Sequence, residues 1–375
     1  MQPSSPATPT AGPGIFWGVA LTALSTLMYQ TLLTRIFSVT MWYHFAFMAI
    51  SITLFGMTAG AILVYRFPAV FTPERVQRHL GLSALGFALT IVFSFLTHLI
   101  TPFNPGISLL QLYSMAWTYG LLAIPFVCSG ICMALAMTRF PSQVGRLYAA
   151  DLVGAALGCP GVVLLLEVLD APGAVLVSAL LASLGGLAFL HKTPDATRLR
   201  SYGRALTLGL SLLCTVATFA AMEKQPLLQL SWVKGRLEEP TLYERWSSFA
   251  RITVRPWEAR PFGWGLSDRI DPNLQVEQKL ISIDAIADTV LTQFNGDLST
   301  VQHLRYDVTN LAHTLRQQAR VLVIGVGGGR DVLSALAAGQ RSITGVEING
   351  QILEALTGPF GSFTGQLDQH EARPR

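Results

Sequence analysis

Val321–Asp331 reads VLVIGVGGGRD, and Ile343–Asn349 reads ITGVEIN. The apolar run before the first glycine is typical of a strand buried in a parallel sheet. The glycines predict a tight turn that leads into a helix, whose first N–H groups face the turn. The second stretch predicts another strand, which ends in an acid. This order of elements predicts the first half of a nucleotide-binding α/β unit.

The candidate ligand-binding residues follow from that order. Glu347 lies about 20 residues past the glycines, where a carboxylate accepts hydrogen bonds from ribose hydroxyls. Asp331 falls in the first turn of the predicted helix, where an acid is favourable, and Asn349 follows the second strand. Arg330 stands where a dinucleotide motif needs its third glycine, which favours an adenosyl-sulfonium cofactor over NAD. The alternative is a structural turn without a ligand. The predicted cofactor contacts are Gly325, Gly327, Gly329, Asp331, Glu347 and Asn349.

The composition divides the chain into a membrane half and a soluble half. The 375 residues are 51% hydrophobic and only 13% charged, whereas soluble domains carry about 25% charged residues. Residues 1–221 hold 15 charged side chains, and residues 222–375 hold 33. The net charge of +4 is small, and it lacks the clustered basic face of a nucleic-acid binder. We therefore expect a lipid bilayer as partner and no nucleic acid.

The membrane half contains seven apolar runs near the length that a spanning helix needs. Residues 1–14 are expected to form a disordered tail. They contain no Lys or Arg, so the first run is expected to be a retained span rather than a cleaved signal. The last run is the shortest, and a re-entrant or interfacial helix is an alternative for it. The predicted spans of the bundle at 15–221 are Ile15–Phe37, Met41–Tyr65, Leu80–Ile100, Leu112–Met137, Leu147–Leu169, Ala171–Leu190 and Ala205–Ala221.

The loop charges and the expected cofactor predict opposite sides of the membrane for the soluble half. Basic loops face the cytoplasm, and the Lys and Arg residues follow the second, fourth and sixth spans. With seven spans this places residue 222 onward outside the cytoplasm. A cytosolic adenosyl cofactor instead predicts that the soluble half lies in the cytoplasm, with the bundle in the cell membrane. The sequence leaves this question open.

Asp151 is the intramembrane residue that most invites a function. It shares a helix face with Gly154 and Gly158, at a spacing that predicts contact with a neighbouring helix. Ionisable groups at membrane depth are costly and often functional. An ion pair with Arg146 is the structural interpretation, and a transport or substrate role is the alternative.

The soluble half begins with a polar linker at 222–240. Short β-like runs then predict a small antiparallel β domain at 241–297, with strands at Phe249–Pro256, Lys279–Asp284 and Thr289–Phe294. Apolar residues at three- and four-residue steps predict one helix over Leu298–Gln317. The incomplete Rossmann-like adenosyl-binding domain occupies 298–375.

Several motifs together resemble the spermidine/spermine synthase (polyamine aminopropyltransferase) family, and in particular its membrane-fused branch. The resemblance covers residues 240–350 well and the bundle loosely, through LYAADLVGAALG at Leu147–Gly158. The motifs in the soluble half are ERWSSFARITV at Glu244–Val254, LISIDAIADT at Leu280–Thr289, LRYDV at Leu304–Val308, and the two stretches quoted first.

The resemblance implies a small β domain before a class I methyltransferase-like Rossmann fold. It also implies decarboxylated S-adenosylmethionine or S-adenosylmethionine as cofactor, no metal, a small-molecule amine as acceptor and aminopropyl transfer as the activity. On the acceptor side it points to Tyr306, Asp307 and Asp284. Asp307 replaces the family's histidine and Asn349 replaces its usual aspartate, which puts polyamine specificity in doubt.

The resemblance also implies a catalytic aspartate on a strand later than the second one. The 375 residues contain no counterpart of that strand. We therefore expect a C-terminally truncated chain, or a tail that folds on another chain, without turnover as it stands. A homo-oligomer is left open. Two other functions remain from the sequence: an S-adenosylmethionine-dependent methyltransferase, and a non-enzymatic transporter or sensor with a nucleotide-binding domain.

Overall fold

The computed structural model describes residues 10–103, 108–191, 193, 196–223 and 226–367. The chain divides into two compact units. The first comprises Met1–Glu238 with Trp246–Phe249, and the second comprises Glu239–Arg245 with Ala250–Arg375.

The first unit is a bundle of seven helices, each long and apolar enough to cross a membrane. The multi-pass membrane protein predicted from composition is thus confirmed in its coarse form. The seventh run, for which a re-entrant helix was the alternative, forms a full 26-residue helix. The helices are α1 (Pro13–Thr40), α2 (Met48–Arg66), α3 (Val76–Ile100), α4 (Leu109–Arg139), α5 (Val144–Leu166), α6 (Ala171–Leu190) and α7 (Thr197–Met222). A hairpin of β1 (Trp232–Val233) and β2 (Arg236–Leu237) completes the unit.

Glycines let pairs of these helices approach closely. A Cβ on Gly60 of α2 would lie 2.4 Å from the carbonyl oxygen of Val127 on α4. A Cβ on Gly154 of α5 would lie 2.1 Å from the carbonyl oxygen of Ala20 on α1. Both distances are far shorter than van der Waals contact, so the helix faces that carry Gly60 and Gly154 are packing surfaces.

Hydroxyl groups join α1 to three of its neighbours inside the bundle. The Thr26 and Ser129 hydroxyls lie 2.6 Å apart, which links α1 to α4. The Ser25 hydroxyl donates to the carbonyl oxygen of Ser178 on α6 at 2.7 Å. Tyr29 and Ser94 link α1 to α3 at 3.3 Å. In hydrocarbon such bonds satisfy polar groups that water cannot reach, so they help to hold α1 against α3, α4 and α6.

Enlarging Gly154 is expected to destabilise the bundle. Gly154→Val forces α5 away from α1, and overpacking of this kind costs about 1–3 kcal/mol. Gly209→Val on α7 is the matched control, because a Cβ at Gly209 meets nothing within 4 Å. Thermal unfolding of the purified protein in detergent should show a lower midpoint for Gly154→Val only. Equal midpoints for the two variants would contradict the close α1–α5 contact.

The second unit begins with the predicted antiparallel sheet. Its four strands lie in the order β3-β4-β5-β6. Ile252 faces Ile283 across β4 and β5, and Leu280 faces Val290 across β5 and β6. All three predicted strands are present, shifted by two residues or fewer. The strands are β3 (Tyr243–Trp246), β4 (Arg251–Pro256), β5 (Gln278–Ile283) and β6 (Ala287–Thr292).

A parallel β–α–β unit follows, as the glycine-rich stretch predicts. Val321 pairs with Ile343 in parallel register, and α9 connects the two strands. Gly339, at φ +67°, ends α9. Val323 and Ile343 point to the face that carries α9 and α10, and they share a buried core with Ile252 of β4. The elements are α8 (Leu311–Leu315), β7 (Arg320–Ile324), α9 (Arg330–Ala337), β8 (Ser342–Val346), α10 (Gly350–Thr357) and α11 (Gly361–Thr364).

The opposite face of β7 and β8 is apolar and uncovered in the described part of the chain. Ile324 is 81% exposed, Ile348 beyond β8 is 91% exposed, and Leu322 and Val346 are also exposed. Parallel sheets are normally covered on both faces.

The prediction of one helix over Leu298–Gln317 is wrong. The structure has a 3₁₀ segment at Leu298–Tyr306, a second 3₁₀ turn at Val308–Asn310, and α8. Asp307 has an extended backbone between the two 3₁₀ segments, where it forms a β-bridge with Leu266. Its side chain accepts a hydrogen bond from the Thr309 N–H at 3.1 Å. A partner distant in sequence and a local cap together interrupt the helical pattern.

Candidate functional site: the glycine turn between β7 and α9

Three glycines bend the backbone between β7 and α9. Gly325, Gly327 and Gly329 have φ values of +80°, +53° and +81°. Other residues adopt this left-handed region at a cost of about 1–3 kcal/mol when the structure forces it. The Gly325 N–H donates to the Val346 carbonyl at 2.8 Å, so the ladder between the strands extends one residue into the turn. The turn then ends at Gly329, directly before α9.

Glu347 joins the glycine turn to the end of β8. Its Oε2 accepts the Gly327 N–H at 3.0 Å, and its Oε1 accepts the Asn349 N–H, also at 3.0 Å. The side chain is half-buried. A carboxylate oxygen has two lone pairs, so each oxygen keeps one acceptor position beyond these bonds. The structure thus brings Glu347 and Gly327 together, as the motif spacing predicts.

Gly328 was missed by the sequence reasoning, which selected alternate glycines only. A Cβ at Gly328 would lie 2.1 Å from the carbonyl oxygen of Val290 in β6. The glycine turn therefore rests directly on the backbone of the β domain. The unbroken run of three glycines was the available signal, since a motif that needs only alternate glycines leaves the middle one unexplained.

Asn349 and Asp331 occupy different positions at the site. Asn349 is buried, and its Oδ1 accepts the Gln351 N–H at 3.0 Å as the N-cap of α10. Its Nδ2 has no hydrogen-bond partner among the described residues. A buried donor of this kind needs an acceptor. Asp331, in the first turn of α9, has a side chain that is 56% exposed.

Arg330 forms a buried ion pair with Asp307. Its Nη2 donates to Asp307 Oδ2, and both side chains are almost fully excluded from solvent. Asp307 also accepts the Trp264 N–H at 2.9 Å and the Thr309 hydroxyl at 3.0 Å. Arg330, which stands in the place of the third glycine, thus links the start of α9 to Asp307 in the segment before α8.

The ion pair changes the titration of its neighbours. Burial acts to raise the pKa of Asp307, but the Thr309 N–H, the charge of Arg330 and the Trp264 N–H outweigh it and hold that pKa below its usual value. Burial, together with the charge of Arg330, lowers the pKa of His303 to about 4. The imidazole of His303 is therefore neutral at pH 7.

Acidification is expected to destabilise the second unit. Unfolded His303 binds a proton near pH 6.5, whereas folded His303 does so near pH 4. Between these values the unfolded chain takes up more protons, so stability falls as the pH drops. The contribution of Asp307 is present above its unfolded pKa of about 3.9 and is lost on further acidification. Thermal midpoints should fall between pH 7 and pH 5, and less so for His303→Leu. Identical pH slopes for parent and variant would contradict this assignment.

The acceptor-side candidates differ in how accessible they are. Asp284 is buried in the tight turn between β5 and β6, where its Oδ1 accepts the Arg251 N–H at 2.8 Å. The Asp307 carboxylate is buried in the ion pair described above. Tyr306 is 47% exposed. Of the three, only Tyr306 presents its side chain to solvent.

Asp151 belongs to the bundle and lies half-buried on the α5 face that carries Gly154 and Gly158. The predicted ion pair with Arg146 is wrong: among the described residues no salt bridge joins them, and the Arg146 guanidinium carbon lies 5.3 Å from the centroid of the Phe16 ring. Arg146 is exposed at the end of the bundle, five residues before Asp151. The aromatic ring of α1 provides its contact instead.

The described residues contain no group of three or more His, Cys, Asp or Glu side chains placed to hold a metal ion. We compared the chain with models of known protein families, with curated proteins and with solved structures, and none of the three comparisons returned a match. The assignment of a function therefore depends on the residues and their geometry.

Proposed function

We propose that the turn at Gly325–Gly329 and Glu347 bind the adenosyl group of decarboxylated S-adenosylmethionine or S-adenosylmethionine. The β–α–β unit is then the beginning of a class I methyltransferase-like Rossmann domain carried by a membrane bundle. By its resemblance to the aminopropyltransferases, the group moved in the complete family form is aminopropyl, and the acceptor is a small amine.

The observation that supports this proposal is the position of the Glu347 carboxylate. It lies at the carboxyl end of β8, held by the Gly327 and Asn349 N–H groups. Ligands of open α/β sheets bind outside the carboxyl ends of the strands. The remaining acceptor positions of the carboxylate suit the two hydroxyls of a ribose, and the unpartnered Asn349 Nδ2 supplies a donor nearby in the chain.

The residues around the turn would position the ligand. The glycines carry no side chains that would block a nucleoside, and the α9 N-terminus presents N–H groups at the same edge. Tyr306 is the exposed candidate for the acceptor side. Bound there, the cofactor supplies an electrophilic carbon beside a sulfonium, and the protein contributes chiefly the orientation of the reactants.

Calorimetry on the full chain in detergent tests the proposal. Decarboxylated S-adenosylmethionine, S-adenosylmethionine and methylthioadenosine are titrated separately. We expect saturable binding of methylthioadenosine, which carries the adenosine common to all three. Tighter binding of the decarboxylated form than of S-adenosylmethionine supports aminopropyl transfer, and the reverse order supports a methyltransferase. No saturable heat with any of the three would reject an adenosyl site.

A further inference from the structure

The two ends of the bundle differ sharply in charge. At one end, hydrogen bonds involve the segment before α1 and the connections α2–α3, α4–α5 and α6–α7. The Ala11 N–H donates to Gln143 Oε1 at 2.5 Å, Arg139 donates to the Phe71 carbonyl at 2.7 Å, and the Thr193 hydroxyl donates to Gln77 Oε1 at 3.0 Å. We call this the arginine end. Its connections contain the basic residues Arg66, Arg75, Arg78, Arg139, Arg146, Lys192, Arg198, Arg200 and Arg204, against the acids Glu74 and Asp195.

The connections between helices at the other end contain no Lys or Arg, and by sequence the segment that follows α7 there adds Lys224, Lys234 and Arg236. By sequence, residues 41–47 and 101–108 have no Lys, Arg, Asp or Glu, and residues 167–170 hold only Glu167 and Asp170. The Thr40 hydroxyl and His98 Nε2 lie 3.4 Å apart at this end, which joins the last residues of α1 and α3. The polarity is therefore a property of the packed bundle and not of one loop.

The β1–β2 hairpin shows at which end the chain leaves the bundle. The Lys234 N–H donates to the Thr40 carbonyl at 2.8 Å, and Lys234 Nζ lies 5.1 Å from the centroid of the Tyr43 ring. Thr40 is the last residue of α1, whose start lies at the arginine end. The hairpin is thus docked at the end opposite the arginines, and residue 239 follows directly.

The arginines divide into two groups by their contacts. Arg139 and Arg200 hold loops in place, the latter donating to the Thr193 carbonyl at 2.7 Å. Four others are exposed, and their side chains make no hydrogen bond to another residue in the described part of the chain: Arg75, Arg78, Arg198 and Arg204. Exposed basic side chains next to spanning helices attract the anionic headgroups of the cytoplasmic leaflet.

We propose that the arginine end is a binding surface for anionic phospholipid headgroups of the cytoplasmic leaflet. This contact orients the chain so that the hairpin, and everything after it, lies on the non-cytoplasmic side. Of the two predictions for the side of the soluble half, the proposal follows the one from the loop charges and rejects the one from a cytosolic cofactor. The glycine turn then takes its ligand from the non-cytoplasmic compartment.

Labelling with a membrane-impermeant maleimide on intact cells tests the orientation. Ser142→Cys reports on the arginine end and Glu258→Cys on the second unit, and both positions are exposed. The parent chain is the background, since its four cysteines lie within the helices. We expect Glu258→Cys to react in intact cells and Ser142→Cys only after permeabilisation. The reverse pattern, or equal labelling of both, would overturn the proposal.

The role of the arginines is tested by two matched sets of substitutions. Changing Arg75, Arg78, Arg198 and Arg204 together to Gln removes the charge, whereas changing the same four to Lys keeps it. We expect the Gln set to give mixed labelling and to lose phosphatidylglycerol in native mass spectrometry. The Lys set should retain the parent orientation and lipid. Unchanged orientation and lipid retention in the Gln set would overturn the headgroup contact. Because these readouts need no adenosyl ligand, their outcome is independent of the proposed function.

Discussion

Glu347→Ala is expected to weaken methylthioadenosine binding about 10- to 100-fold, because a hydrogen bond to a charged group contributes about 1.5–3 kcal/mol. The substitution removes the carboxylate proposed to hold the ribose. It also removes the acceptor of the Gly327 and Asn349 N–H groups. The ligand therefore loses a direct contact, and the turn loses the group that fixes its shape. Calorimetry under the conditions used for the parent chain measures the change.

Two further variants separate these effects. Glu347→Gln keeps the length of the side chain and one acceptor oxygen, so we expect an intermediate loss of affinity. Glu277→Ala removes an exposed acid elsewhere in the second unit and should leave the affinity unchanged. If folded Glu347→Ala binds methylthioadenosine as tightly as the parent, Glu347 is not the ribose ligand.

Asp307→Ala is expected to lower the free energy of unfolding of the second unit by about 3–5 kcal/mol, since removing one partner leaves a buried charge uncompensated. Arg330 would keep its guanidinium in an environment with almost no solvent access. The Trp264 and Thr309 N–H groups would lose their acceptor at the same time. Denaturant unfolding followed by circular dichroism measures the loss.

Asp331→Ala is the control for this variant. Asp331 also lies near Arg330, with 3.5 Å between Oδ1 and Nη1, but its side chain is 56% exposed. Exposed pairs contribute about 0–1 kcal/mol, so this substitution should change stability little. Equal losses for the two variants would show that burial of the Asp307–Arg330 pair does not determine its strength.

The sequence predicted the elements whose pattern is local. The seven apolar runs, the alternating strands of the β domain and the glycine turn between two parallel strands are all present, although α2 begins at Met48 rather than Met41 and α7 at Thr197 rather than Ala205. Each of these depends on hydrophobic periodicity or on glycine conformation within a few residues. Glu347 was also predictable, because the length of a helix and a strand fixes its distance from the turn.

The errors came from partners that are distant in sequence. Asp307 interrupts the predicted helix because Leu266 and Trp264, some forty residues earlier, pair with it. Arg330 was read as a departure from a motif, whereas it is one half of a buried ion pair. Gly328 faces a strand that its own neighbourhood does not reveal. Periodicity carries no information about contacts of this kind.

The acceptor side shows the same limit. Sequence resemblance placed Asp284, Tyr306 and Asp307 together, but the hydrogen bonds that occupy the two carboxylates arise only on folding. Similarly, Arg146 was assigned to Asp151 by its proximity in sequence, and the fold places it over Phe16. Motifs therefore located the glycine turn better than they located the residues around it.

The central claim is that an adenosine binds at the glycine turn with its ribose on Glu347. A structure of the chain determined with methylthioadenosine tests it most directly. The account predicts density at Gly325–Gly329 with both ribose hydroxyls within hydrogen-bond distance of the Glu347 carboxylate. A turn without ligand density at saturating methylthioadenosine, or a nucleoside bound elsewhere in the chain, would contradict it.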